Sequence, residues 1–182
     1  MKLVTYEHNG RVAIGLLRDE YIVDLSAVAS DMIELIESGE QGLAQARAVA
    51  KVAENAIPLS DARLLPPIHT PRRNVMCVGK NYVEHTRESF EARGEAVETI
   101  EYPVIFTKTT TCVNGPYDDI PYDAAVSEHI DYEAELAVII GRRVKNTHRE
   151  EAQAAVFGYT VLNDVTARDL QSLHKQFFKG KS

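Results

Sequence analysis

Three carboxylates crowd the start of an aliphatic run in HIDYEAELAVII: Asp131, Glu133 and Glu135 recur at every second position. Successive side chains of a strand point to opposite faces, so these acids share one face while Tyr132, Ala134, Leu136, Val138 and Ile140 share the other. The acidic face turns apolar at Ala137 and Ile139, which predicts a strand whose far end is buried on both sides. Two arrangements tolerate like charges this close. Either the strand lies at an edge with its acids in solvent, or a divalent cation neutralises them. In the second case all-oxygen ligation favours magnesium, manganese or calcium over zinc, and a further oxygen ligand is needed from elsewhere.

Asp164, at the carboxyl end of GYTVLND, is placed to be that ligand or simply to cap a helix beginning in VTARDLQ. Arg168 and Gln171 follow it at helical spacing, so one helix face would present a carboxylate, a guanidinium and an amide; the alternative is a solvated polar face. In GKNYVEHTRE, His85 and Glu88 stand three apart. On a helix that spacing lets the carboxylate fix the imidazole tautomer and raise its basicity, as a general base requires, or makes an ordinary surface pair.

The elements that must position these residues can be read along the chain. MKLVTYEHNGRVAIGLLRDEYIVDLS predicts a three-strand meander, with Asn9-Gly10 as its first hairpin turn. SDMIELIES and the alanine-rich GLAQARAVAKVAENA predict two helices packed on it. Pro58, Pro66, Pro67 and Pro71 predict a linker or domain seam, where a small N-terminal unit ends. NVMCVGKNY then reads as a short strand with a glycine turn, followed by a helix that passes into a charged, mobile stretch. YPVIFTKTTTCV and AAVFGYTVLND read as strands, and VTARDLQSLHKQ as helix.

With 182 residues, 45% of them hydrophobic, the chain can bury a core. A net charge of −7 with scattered cations gives no basic footprint and argues against nucleic acid or an anionic membrane as partner. Cys77 and Cys112 form no C-x-x-C pair, so neither a disulfide framework nor a sulfur metal site is expected. The N-terminus lacks an apolar signal region and no apolar run approaches the ~18 residues of a membrane span, so a soluble, cytoplasmic protein is expected.

Taken together and in order, CVGKNYVEH, DYEAELAVIIG, GYTVLNDVTARDLQ and FFKGKS resemble the fumarylacetoacetate hydrolase family. The resemblance implies an α+β protein: a small N-terminal α/β domain over residues 1–68 and, over 69–182, a catalytic core of mixed β-sandwich or β-roll type. It implies magnesium or manganese, with calcium possible, held by Glu133, Glu135 and Asp164. His85 and Glu88 match the family's water-activating dyad on a segment that acts as a lid. Arg168, Gln171 and Lys181 match positions that bind substrate oxygens and stabilise negative charge, and Lys108 matches a recurring lysine near the pocket. Asp131 aligns with no usual ligand and is expected in solvent or behind the ligands. The implied reaction is hydrolysis of a carbon–carbon bond in an acylpyruvate-like 1,3-diketo acid, with decarboxylation, isomerisation or hydration of 2-oxo diacids as alternatives, and a non-catalytic metal-stabilised module as the rival class. The implied partners are a small 2-oxo acid and a second copy of the chain. Because family members continue beyond the residue matching Lys181, the core is expected to be incomplete at Ser182 and the chain a piece of a longer protein.

Overall fold

The computed structural model describes residues 1–53, 56–91, 94, 101–174 and 176–182, which divide into two compact units. The first unit comprises Met1–Thr70, Val113–Pro121 and Ala134–Asn163. Its meander is β1 (Lys2–His8), β2 (Arg11–Arg18) and β3 (Tyr21–Asp24). The turns are made where Asn9, Gly10 and Asp19 adopt φ of 52°, 75° and 52°, the left-handed region that Asn, Gly and Asp reach most readily. At Gly15 on β2, a Cβ would fall 2.4 Å from Ile22 Cγ2, so only glycine lets β3 approach this closely.

Asp31 caps α1 (Met32–Glu37) by accepting a 2.8 Å bond from the Glu34 amide, and α2 (Gly39–Val52) follows. Their apolar stripes meet the meander in a core of Ile14, Leu25, Ala29, Met32, Leu35, Ile36 and Ala46. Full burial of side chains such as Leu25 and Leu35 contributes ~1.5–3 kcal/mol each. The other sheet face buries Tyr6, Ala13 and Ile22.

The proline-rich segment is not a plain linker. β4 (Ile57–Pro58) pairs with β3 and β5 (Arg63–Leu65) with β1, which gives a five-stranded sheet in the order β4-β3-β2-β1-β5. Both are edge strands, the one sheet position where Pro58 is tolerated because an edge leaves one row of backbone groups unpaired.

The first unit also contains β9 (Ala134–Ile140) paired antiparallel with β10 (Val156–Asn163), a bulge lying between Val156 and Gly158, with the short helix α4 (Arg149–Ala152) between them in sequence. Ile139 and Phe157 pack on the core of the meander and its helices. The expectation of burial on both faces does not hold: Leu136, Val138, Ile140 and Val161 stay 59%, 46%, 57% and 81% exposed. The covered face is the one shared by Glu135, Ala137 and Ile139, all half-buried.

The second unit comprises Pro71–Cys112, Tyr122–Glu133 and Asp164–Ser182. In it β6 (Val75–Gly79) pairs with β7 (Val104–Lys108), and β8 (Ile130–Asp131) pairs with β11 (Thr166–Ala167). Helix α3 (Val83–Glu91) follows β6; the charged stretch expected to be mobile lies mostly outside the described residues. Helices α5 (Arg168–Leu173) and α6 (Phe178–Lys181) close the unit. Phe106 meets Phe177 edge-on, with centroids 5.6 Å apart.

HIDYEAELAVII is thus not one strand. It breaks at Tyr132 and Glu133, β8 turning to β11 while β9 turns to β10. Exposed and half-buried residues still alternate through the break, so the shared face of Asp131 and Glu133 survives it. The helix expected over VTARDLQ begins only at Arg168, because the pairing of Thr166 and Ala167 with β8 draws those residues into extended backbone.

Candidate functional site

The second unit gathers charge in its interior. Asp164, 3% exposed, follows β10 in sequence and precedes β11, and its amide donates 2.8 Å to the Glu133 carbonyl. It is not the helix cap that its position allowed: the N-cap of α5 is Ala167, with no side-chain cap bond, and Asp164 is not on that helix. Lys181 Nζ, 4% exposed, donates to Asp164 Oδ2 at 2.8 Å, Glu133 Oε2 at 2.6 Å and Thr166 Oγ1 at 2.7 Å. These three acceptors match the three donors of an ammonium. Gly180 makes the placement possible, since a Cβ there would fall 2.7 Å from the Gln171 amide nitrogen and hold α6 off α5.

Lys108, at the end of β7, is buried rather than a surface residue. Its Nζ lies 2.8 Å from Asp164 Oδ1, donates 3.1 Å to the Val165 carbonyl, and also bonds the Lys181 carbonyl. Burial by itself would raise the Asp164 carboxyl, but the flanking Lys108 and Lys181 outweigh it and hold its pKa below the ordinary aspartate value. Asp164 Oδ1 has its ion pair yet receives no aligned hydrogen bond from the described residues.

Arg168 and Gln171 are drawn together at the start of α5, Nη1 donating 3.0 Å to Gln171 Oε1. Arg168 Nη2 reaches Glu133 Oε1 at 2.7 Å and Asp131 Oδ2 at 2.8 Å, and Nε donates 2.9 Å to the same Asp131 oxygen. Burial pulls the guanidinium pKa down, and the bonds to Asp131 and charge of Glu133 more than reverse this, raising it.

The structure therefore brings together Glu133, Asp164, Lys108, Lys181, Arg168 and Gln171. Glu135 lies in the first unit, on β9 opposite Leu162. The backbone of His85 and Glu88 is on α3, so the spacing is helical, but their side chains lie outside the described ones. Among the described residues, no three of His, Cys, Asp and Glu form a group able to hold a metal ion. Sequence reasoning passed over Thr166, whose hydroxyl no motif marks, and set aside Asp131, whose two-residue spacing from Glu133 was the available signal. The described residues also contain no helix long and apolar enough to cross a membrane.

Comparison with known proteins agrees with these motifs. Residues 74–182 match the sequence model of the family described as fumarylacetoacetate (FAA) hydrolase C-terminal. The chain is 38% identical to oxaloacetate tautomerase YisK of Bacillus subtilis (strain 168), over 100% of the chain and 65% of that protein. A fumarylacetoacetate hydrolase from Exiguobacterium antarcticum superposes with a TM-score of 0.75 at 37% identity, covering 100% of this chain and 62% of that one. Maleylpyruvate hydrolase from Sphingobium sp. SYK-6, solved in complex with manganese(II) and pyruvate, superposes with a TM-score of 0.73 at 25% identity, covering 92% and 60%. The mixed α/β architecture is thus that of fumarylacetoacetate hydrolase-like enzymes, and the chain spans 65% or less of the length of the relatives it matches.

Proposed function

The chain belongs to the fumarylacetoacetate hydrolase family, and from that premise we propose that its second unit carries the enolate-stabilising site of an enzyme acting on 2-oxo acids. The observation that carries the reading is the buried Lys181 ammonium bridging Glu133 and Asp164. Two carboxylates already converge on one cationic point, and Asp164 Oδ1, with Lys108 Nζ 2.8 Å away, receives no aligned hydrogen bond from the described residues. Such a pair of hard oxygen donors fits magnesium or manganese, which is commonly held by one or two carboxylates with water and substrate oxygens completing the shell. We assign Glu133 and Asp164, both of the second unit, to that ion. Bound there, it would supply Lewis-acid polarisation of the 2-oxo group.

The chain's own groups supply the rest. Arg168 and the positive charge of Lys181 stabilise the negative oxygen that develops on the substrate, a role in which charges preset in a buried site need little reorganisation. Gln171 orients Arg168, and Lys108 holds Asp164 ionised for its task. His85, steered by Glu88, moves the proton. In tautomerisation of an oxaloacetate-like diacid, it takes a proton from C3 while the C2 carbonyl oxygen gains one from water to become the enol hydroxyl, and in the reverse direction it returns a proton to C3 as the hydroxyl gives its own back to water. The 38% identity to an oxaloacetate tautomerase favours this substrate class.

A second reading is hydrolysis of an acylpyruvate, favoured by the likeness to maleylpyruvate hydrolase. There His85 takes a proton from water, the oxygen adds to the distal carbonyl, the carbon–carbon bond breaks, and the departing enolate is protonated to the 2-oxo acid. Decarboxylation of oxaloacetate would draw on the same enolate stabilisation. The test is to assay the full-length protein with magnesium or manganese against oxaloacetate tautomerisation, oxaloacetate decarboxylation and acylpyruvate cleavage. The proposal expects at least one activity, lost in Lys181→Met; no activity toward any of them, with metal binding retained, would instead establish a non-catalytic module. Assembly as a homodimer belongs to the same reading, and light scattering showing only monomer at micromolar concentration counts against it.

A further inference from the structure

Arg168 is held from one side by a residue to which the site as read so far gives no task. Asp131 Oδ2 accepts from both Nε, at 2.9 Å, and Nη2, at 2.8 Å. The backbone sets this up: Asp131 is paired with Thr166 in the β8–β11 ladder, and the Arg168 amide donates 2.9 Å to the His129 carbonyl, so the two side chains leave adjacent positions. Gln171 takes Nη1 and Glu133 takes the other side of Nη2, which fixes the guanidinium plane along its length. Without Asp131, Nε loses this acceptor, and the guanidinium, still bonded to Glu133 and Gln171, is free to pivot about them.

We infer that Asp131 is a positioning residue: by anchoring the Nε edge of Arg168, it sets where that guanidinium meets the substrate's carboxylate and so tunes selection among 2-oxo acids. The inference rests on the proposed 2-oxo acid site. Its test uses the full-length protein loaded with manganese and probed with oxalate, an isostere of the enolate of pyruvate, alongside steady-state kinetics on whichever 2-oxo acid the enzyme turns over. Asp131→Ala is expected to weaken oxalate binding at least ~10-fold, the scale of losing a charge-assisted anchor. It should raise KM more than it lowers kcat, and leave manganese affinity and Tm near wild type. Asp131→Asn, whose amide oxygen can accept the same two bonds, should recover part of the loss. Asp131→Ala combined with Arg168→Met should be no worse than Arg168→Met alone, since the two act as one unit.

Unchanged oxalate affinity and KM in Asp131→Ala overturn the inference. So does a loss that tracks a fall in Tm and is not recovered by asparagine, or one that adds to that of Arg168→Met. Wild-type protein that binds manganese but neither oxalate nor any 2-oxo acid overturns the site reading itself, and this inference with it.

Discussion

The two units bury different kinds of side chain. The first hides Tyr6, Ile14, Ile22, Val23, Leu25 and Leu35, an apolar interior under a continuous five-stranded sheet. In the second, among the described residues, Phe90 is the buried apolar side chain, while Lys108, Ser127, Asp164, Thr166 and Lys181 are the buried polar ones. Burial of apolar area stabilises without regard to partner geometry. A buried charge cluster contributes only when every member is satisfied, and replacing such a cluster with well-packed apolar groups is often neutral or stabilising. The difference teaches that the first unit is built to stay folded, whereas the second accepts a poorer interior in order to hold charges at defined points.

The comparison is most exposed to removal of one charge from the second unit. Lys181→Met strands Glu133 and Asp164 without their shared cation and is expected to cost about 3–5 kcal/mol in urea unfolding, along with activity. A cost below about 1 kcal/mol would show that the cluster is wetter than it looks and that the contrast is overdrawn. Leu35→Ala in the first unit should cost about 2–5 kcal/mol by loss of transfer energy and cavity formation, yet leave metal and oxalate affinity unchanged. If it weakened either, the two interiors would not be separable in this way.

Alkaline titration separates the units more gently. Burial first, then the neighbouring Asp24, raises the Tyr6 pKa to about 12 from its ordinary 10.0. A raised pKa means that the fold favours the protonated form, so this contribution is complete below pH 10 and lost as pH rises toward 12. Unfolding followed across that window should show the first unit weakening, and Tyr6→Phe should flatten the dependence. The smallest effect expected is at the cap of α1: Asp31→Ala should lower stability by about 1 kcal/mol without touching the site.

What sequence could disclose followed the same division. The meander was legible because alternating residues and Asn9-Gly10 are local signals, and α1 because Asp31 caps it. The edge strands β4 and β5 were not, since two or three residues beside prolines carry no period and are recruited by the strands they meet. β11 was hidden for a related reason: pairing with β8 overrides the helical pattern of VTARDLQ. In the candidate site, the two-residue spacing marked Glu133 while Asp131 was set aside, and the strand end marked Asp164. That Lys181 would bridge Glu133 and Asp164 depends on contacts far apart in the chain and on the absence of a side chain at Gly180, which no local pattern encodes. The apolar face of β9 was legible as a face, but its exposure depends on what packs over it.

The bond from the Asp164 amide to the Glu133 carbonyl offers a clock on this arrangement. It ties together the main chain of the two carboxylates that Lys181 bridges, so that amide proton can exchange with solvent deuterium only when the segments part. Its exchange rate reports the population of the opened pair in protein that is neither turning over nor loaded with metal, and any ligand that bridges the two carboxylates should slow it by the factor in which it favours the closed form.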